Sequence, residues 1–242
     1  MKRISLAILL LLLITGLPVS PATALQFAPA EYAARRTKMM EKFTDGLIII
    51  QGAATLPNYY AFMQNNNFLY LSGVEIENAF LVIDPINKES ILFADRAEES
   101  GFSKVMRPRE MKDYLAKRVI DVKTLYTCFL PEELARECSG EKAGNQSFTM
   151  VRNEWDGRRT RESQFVENLK TKFPGVMVKD CAAYIHEMRT IKSPTEIDLM
   201  RKAAKIAVQA HIDVMKATRP GVTEQELAAL FEYSCKKAGA GE

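Results

Sequence analysis

The first strong periodicity runs from Ala30 to Phe43, where Tyr32, Arg36, Met39, Met40 and Phe43 recur at roughly helical spacing behind Pro29. This pattern predicts a helix, broken by Asp45-Gly46. Leu47-Ile48-Ile49-Ile50 is uniformly apolar, as in a strand of a sheet covered on both faces. A polar, aromatic loop from Asn58 to Asn67 comes next. Phe68–Leu71 and Ala79–Ile83 predict strands. Asp84-Pro85-Ile86-Asn87-Lys88 predicts a turn, and Ser90–Ala94 the returning strand of a hairpin.

The alternation continues. Glu110–Arg118 reads as an amphipathic helix, Thr124–Phe129 as a strand, Pro131–Cys138 as a short helix and Ser139–Ser147 as a loop. On a helix from Glu162 to Phe173, Phe165, Val166, Leu169 and Phe173 share one face. Pro174-Gly175 ends it, and Val176–Val178 is another strand. Helices interleaved with strands argue for a layered α/β domain. Trp155, isolated between these segments, is expected to be a packing anchor rather than a stacking platform. The Asn58–Asn67 loop is expected to pack its aromatics on the sheet rather than form a ligand surface.

Near Tyr184 the texture becomes helical only. Ser193-Pro194-Thr195-Glu196 is a capping box: a hydroxyl for a first-turn amide, Pro in the first turn, and a carboxylate reaching back. Behind it Ile197, Met200, Ala204, Ala207, His211 and Met215 form one stripe, ended by Arg219-Pro220-Gly221. Thr223-Glu224-Gln225-Glu226 is a second box, with Leu227, Leu230, Phe231 and Cys235 as its stripe and Gly239 as the residue past the helix end. Two antiparallel helices with apolar stripes need a surface to pack on, either the first domain or a sheet outside this chain. Left uncovered, the stripes predict poor solubility.

Composition changes this picture little. With 242 residues, 47% of them hydrophobic and 26% charged, the chain is globular rather than disordered, and long enough for one large or two small domains. A net charge of +3 with no basic stripe gives no support for nucleic-acid binding. The extreme N-terminus is different in kind. Lys2-Arg3, the apolar run Ile4–Leu17 and the small-x-small Ala22-Thr23-Ala24 read as a secretory signal cleaved after Ala24. The run is too short for a spanning helix, which needs about 20 residues. The expected destination is periplasmic or extracellular. Export permits disulfides, and Cys128, Cys138, Cys181 and Cys235 allow three pairings. Cys128 with Cys138 is favoured by the short loop between them; buried free thiols are the alternative.

The residues offer no catalytic constellation of their own. No G-x-G-x-x-G or phosphate loop follows a strand, no G-x-S-x-G is present, and the cysteine spacing fits no zinc pattern. His211 has Asp213 at i+2, the wrong face for a shared ion, so it reads as a packed or rim histidine.

One segment carries more. Ile185-His186-Glu187-Met188-Arg189-Thr190-Ile191-Lys192-Ser193-Pro194-Thr195-Glu196-Ile197, then Ala210-His211 and Pro220-Gly221-Val222-Thr223-Glu224, resembles the start of the catalytic domain of Xaa-Pro aminopeptidases, the aminopeptidase P branch of the M24 "pita-bread" metallopeptidases. Upstream, Tyr32–Arg36 and the stretch Phe62–Asp84 are similar to that family's creatinase-like N-terminal domain, with Met63 where Arg is common and Ser72 where Thr is common. Beyond the signal over 1–24, the resemblance implies a creatinase-like domain of mixed sheet and flanking helices over 25–180, and over 181–242 the first two helices of an incomplete pita-bread α+β domain.

It further implies hydrolysis of the bond before proline in proline-containing peptides by two divalent ions, most often manganese. Their ligands would be two Asp, one His and two Glu. Oxygen ligands suit manganese, and paired ions can supply hydroxide without a Ser or Cys nucleophile. In the family those ligands follow the two helices, so no catalytic, cofactor-binding or metal-ligating residue is nominated; His186 carries no ligand role. The expectation is an N-terminal portion, inactive alone, of an enzyme that forms homo-oligomers. The alternatives are a non-catalytic exported module that binds peptides or mediates oligomerisation, and a prolidase or creatinase relative. Coding sequence downstream of Glu242, or peptide titration of the first domain, separates them.

Overall fold

The computed structural model describes residues 27–54, 62–95, 101–130, 155, 157 and 159–240. Its elements are α1 (Pro29–Lys42), β1 (Gly46–Gln51), α2 (Asn66–Ser72), β2 (Phe80–Asp84), β3 (Glu89–Phe93), β4 (Val105–Met106), a 3₁₀ turn (Pro108–Glu110), α3 (Met111–Arg118), β5 (Thr124–Thr127), α4 (Arg161–Lys172), β6 (Met177–Asp180), α5 (Ala182–Thr190), α6 (Pro194–Ala217) and α7 (Glu224–Lys237). The signal segment, the Pro131–Cys138 helix and the Ser139–Ser147 loop lie outside the described residues, as do Tyr59, Tyr60 and Cys138.

The six strands form one mixed sheet in the order β4-β3-β2-β1-β5-β6. β1 pairs antiparallel with β2, Ile49 opposite Val82, and parallel with β5, Leu47 opposite Leu125. β2 and β3 form the expected hairpin. Its turn is held by Asp84, whose Oδ1 accepts the amides of Ile86 and Asn87 at 3.0 and 3.1 Å. Asx geometry of this kind lets a short turn satisfy itself.

The uniform apolarity of Leu47–Ile50 has the predicted cause. Ile48 and Ile50 enter a core with Met39, Phe68, Leu71 and Ile185, under α1, α2 and α5. Leu47 and Ile49 enter the opposite core with Leu115, Leu125 and Leu169, under α3 and α4. Gly46 opens β1 because a Cβ there would collide with the Thr124 carbonyl oxygen and side chain on β5.

The structure corrects three expectations. Phe68–Leu71 is not a strand but lies in the helix α2. Its buried residues, Asn67, Phe68, Leu71 and Ser72, follow helical spacing, and Gly73 stops it in the left-handed region with φ 72°. Trp155 is no packing anchor, for the residue is 92% exposed. It precedes α4 outside any apolar row that would carry it into a core. Cys128 carries a free buried thiol beside Cys181, which is also free and buried. The reason is strand register: each of the two directly follows the end of one of the adjoining strands β5 and β6. The two-residue strand β4 was not anticipated.

Both capping boxes form as read. The Ser193 hydroxyl accepts from the Glu196 amide at 3.2 Å while Glu196 accepts the Ser193 amide at 2.8 Å. Thr223 and Glu226 repeat the arrangement on α7. Gly239 follows α7 with φ 86°. α6 and α7 pack as a hairpin, with the His211 and Phe231 rings 4.9 Å apart and Ser234 Oγ donating to Asp213 at 3.0 Å. Much of the α6 stripe faces outward: Ile197, Met200 and Met215 are exposed. No helix among the described residues is long and apolar enough to cross a membrane.

Candidate functional site

Among the described residues, a set of chemistry-bearing side chains converges where α5 and α6 meet the sheet domain. The site is built on two adjacent arginines of α1. Arg35 and Arg36 are only 6% and 8% exposed. Each donates to a carbonyl at the C-terminal end of α2: Arg35 Nη1 to Tyr70 O at 2.9 Å, Arg36 Nη1 to Leu71 O at 2.8 Å. The last carbonyls of a helix lack intrahelical partners and carry its negative dipole end, so a buried guanidinium is a fitting cap. Burial presses the Arg36 pKa down to about 10. The Arg36 guanidinium also lies over the Phe102 ring at 4.3 Å, and that of Arg35 over Tyr70 at 4.2 Å.

Arg35 faces two carboxylates as well. Nη2 reaches Glu31 Oε1 at 2.6 Å, one turn earlier on α1, and Glu196 Oε1 at 3.2 Å on α6. Glu31 in turn accepts from the hydroxyls of Ser193, at 2.6 Å, and Thr195. Burial works to raise the Glu31 carboxyl pKa, but the bonds from Ser193, Thr195 and Arg35 outweigh it and hold the group below its ordinary 4.5. The Ser193-Pro194-Thr195-Glu196 box therefore has two jobs, starting α6 and seating it on α1.

A second contact line runs from α2 to α5. Asn67, fully buried, accepts from Arg189 Nη1 through Oδ1 at 2.8 Å. With that oxygen engaged, its amide nitrogen faces His186 Nε2 at 3.3 Å and Cys128 Sγ at 3.7 Å. The network assigns His186 Nε2 as an acceptor. Tyr70 Oη donates to Met188 O at 3.2 Å, its pKa raised by burial. The Asn-rich loop is thus structural where it is described. Gln64 Oε1 accepts the Asn65 amide at 2.9 Å, its Nε2 donates to Ile76 O at 3.0 Å, and Asn65 Nδ2 donates to Gln51 O at 3.1 Å.

These groups recognise one another. At this junction the Glu31 carboxylate is matched by Arg35, Ser193 and Thr195, and that of Glu196 by Arg35. Among the described residues no group of three or more His, Cys, Asp or Glu side chains could hold a metal ion. A divalent pair does not fit the residues described, and His211 sits on an exposed face of α6 against Phe231. Arg189, Ser193, Thr195 and Glu196 belong to the motif read from the sequence. Glu31, Arg35 and Asn67 do not come from that motif. The legible signal was an Arg on an apolar helical stripe, at Arg36 and by adjacency Arg35.

Comparison with known proteins gives this geometry a context. Residues 32–125 match the family described as Aminopeptidase P, N-terminal domain, and residues 198–242 match Metallopeptidase family M24. The chain is 29% identical to human Xaa-Pro aminopeptidase 3, covering 87% of this chain and 44% of that protein. It is 26% identical to the Xaa-Pro aminopeptidase of Escherichia coli, covering 87% and 49% respectively. Its fold is similar to that of Pseudomonas aeruginosa aminopeptidase PepP, with a TM-score of 0.65 at 20% identity over 89% of this chain and 50% of that one. It is likewise similar to E. coli aminopeptidase P with the inhibitor Pro-Leu, with a TM-score of 0.63 at 21% identity over 88% and 50%. The chain spans about half the length of the curated relatives it matches.

Proposed function

We propose that this chain, which belongs to the aminopeptidase P family, is the N-terminal portion of an exported, divalent-metal-dependent Xaa-Pro aminopeptidase that releases the residue preceding proline from a peptide N-terminus. The observation that carries the reading is the order and joining of its parts. An aminopeptidase P N-terminal domain precedes the opening of an M24 domain, and the two meet through Arg35, Glu31 and the Ser193–Glu196 box. In this reading the boundary lies near Asp180.

In this reading the sheet domain is a scaffold and oligomer contact, not a catalyst. Two divalent ions, manganese foremost, would be held by the remainder of the M24 domain, and residues 1–242 alone are inactive. The outward-facing Ile197, Met200 and Met215 support this, since such a stripe suits a helix pair on which further sheet is laid. Lys2-Arg3, the apolar run and Ala22-Thr23-Ala24 support export, with the mature chain starting at Leu25.

Manganese titration tests the reading. The reading frame that includes this chain and its downstream coding sequence is expected to take two ions per subunit, and residues 1–242 none. A stoichiometric pair bound by residues 1–242, or a metal-free but active longer product, would overturn it.

A further inference from the structure

The register of β5 and β6 brings two cysteines together. The strands run parallel, with Thr124 opposite Met177 and Thr127 opposite Asp180. Cys128 and Cys181 directly follow these strand ends: the Cys181 amide donates to Thr127 O at 3.1 Å, closing the last rung, and the two thiols hydrogen-bond each other. Both thiols lie in the same core, with Ile50, Phe68 and Ile185. Strand spacing of about 4.8 Å falls inside the Cα separation of roughly 4.4 to 6.8 Å that a disulfide spans.

The Asn67 amide lies 3.7 Å from Cys128 Sγ, and among the described residues no metal-holding set includes either cysteine. The Cys128 thiol beside it, and then burial, push the Cys181 thiol well above its ordinary pKa. A thiolate-based nucleophile requires the opposite shift. What the position can do is staple. Among the described residues β6 pairs only with β5, so a bond here ties an outer strand to the sheet and closes the chain between them, α4 included.

We propose that Cys128 and Cys181 form a disulfide that locks β6 to β5 when the chain folds in an oxidising compartment. The two sulfurs lose their protons and bond to each other. The electron pair passes to a disulfide oxidant, which is reduced to two thiols. With both thiols buried and Cys181 protonated in the folded protein, the bond forms before the core closes. The proposal depends on export only for where the oxidant is met; the pairing itself is a property of the fold.

The test is refolding of the whole chain in a glutathione redox buffer, followed by trypsin digestion without reductant and mass spectrometry. Each cysteine concerned lies in its own tryptic peptide: Cys128 in Thr124–Arg136, Cys138 in Glu137–Lys142 and Cys181 in Asp180–Arg189. The expected result is Thr124–Arg136 linked to Asp180–Arg189, separated by reductant, with a urea midpoint on the order of 1 M higher than that of the reduced chain. Cys128→Ser is expected to leave Cys181 alkylatable once unfolded and to abolish that shift. Linkage of Thr124–Arg136 to Glu137–Lys142, or alkylation of both Cys128 and Cys181 after refolding with oxidised glutathione in excess, overturns the proposal. Retention of Met1 on the cellular protein would contradict export and leave the peptide map unaffected.

Discussion

The guanidinium of Arg35 and the carboxylate of Glu196 stand 3.2 Å apart, joining the first helix of the sheet domain to the first turn of α6. The same guanidinium caps α2 through Tyr70 O and pairs with Glu31. One buried side chain thus fixes a helix end and an inter-domain seat together. Removing one member of such a set strands the other charges, at a cost of about 3–5 kcal/mol. Arg35→Ala should destabilise by that amount in urea denaturation. Arg35→Lys should recover only part of it, because an ammonium cannot reproduce the planar fork.

Glu31 gives the junction an acid limit. Its carboxyl is held below 4.5 in the folded chain, so its bonds contribute fully above about pH 4.5 and are lost as pH falls through the depressed folded-state value. The urea midpoint should therefore drop as pH falls below about 4.5. Glu31→Gln should lower the midpoint at neutral pH and flatten that drop.

Asp84 is the most demanding polar residue of the sheet domain. It is fully buried, takes two turn amides, and pairs with Arg118 Nε at 2.8 Å while Tyr114 Oη donates to it at 3.3 Å. Asp84→Ala should cost at least about 3 kcal/mol in equilibrium unfolding. Burial first, then Asp84 and Glu89, raise the Tyr114 phenol pKa, so Tyr114 should resist alkaline ultraviolet titration in the folded protein and titrate normally once unfolded.

Gly46 sets the closeness of β1 and β5. Because a methyl group there meets the Thr124 backbone, Gly46→Ala should destabilise by about 1–3 kcal/mol despite the general preference for Ala over Gly in strands. Thermal denaturation of the single variant checks this; an unchanged or raised midpoint would show that β5 can yield.

What the sequence made legible was whatever local rules settle. Leu47–Ile50 declared a doubly covered strand, and Ser193 with Glu196 declared the start of α6, because periodicity and capping act within a few residues. Phe68–Leu71 did not declare its helix. A seven-residue helix is too short to hold itself, and its terminal carbonyls are satisfied by Arg35 and Arg36 from elsewhere in the chain. β4 is two residues long and has no period to read. The apposition of Cys128 and Cys181 is a matter of register between strands separated in sequence, and the nearer Cys138 masked it. The junction was half visible: its α6 side in the motif, its α1 side as an arginine on an apolar stripe within the Tyr32–Arg36 segment, with nothing to pair the two.

The central claim is tested most directly by peptide hydrolysis with the product of the full reading frame that contains this chain. The account predicts release of the N-terminal residue from an Xaa-Pro-Yaa peptide, not from its Xaa-Ala-Yaa counterpart, with activity lost to a chelator and restored by manganese. Residues 1–242 tested in parallel should release nothing. No cleavage before proline with metal supplied, or equal cleavage of both peptides, would contradict it.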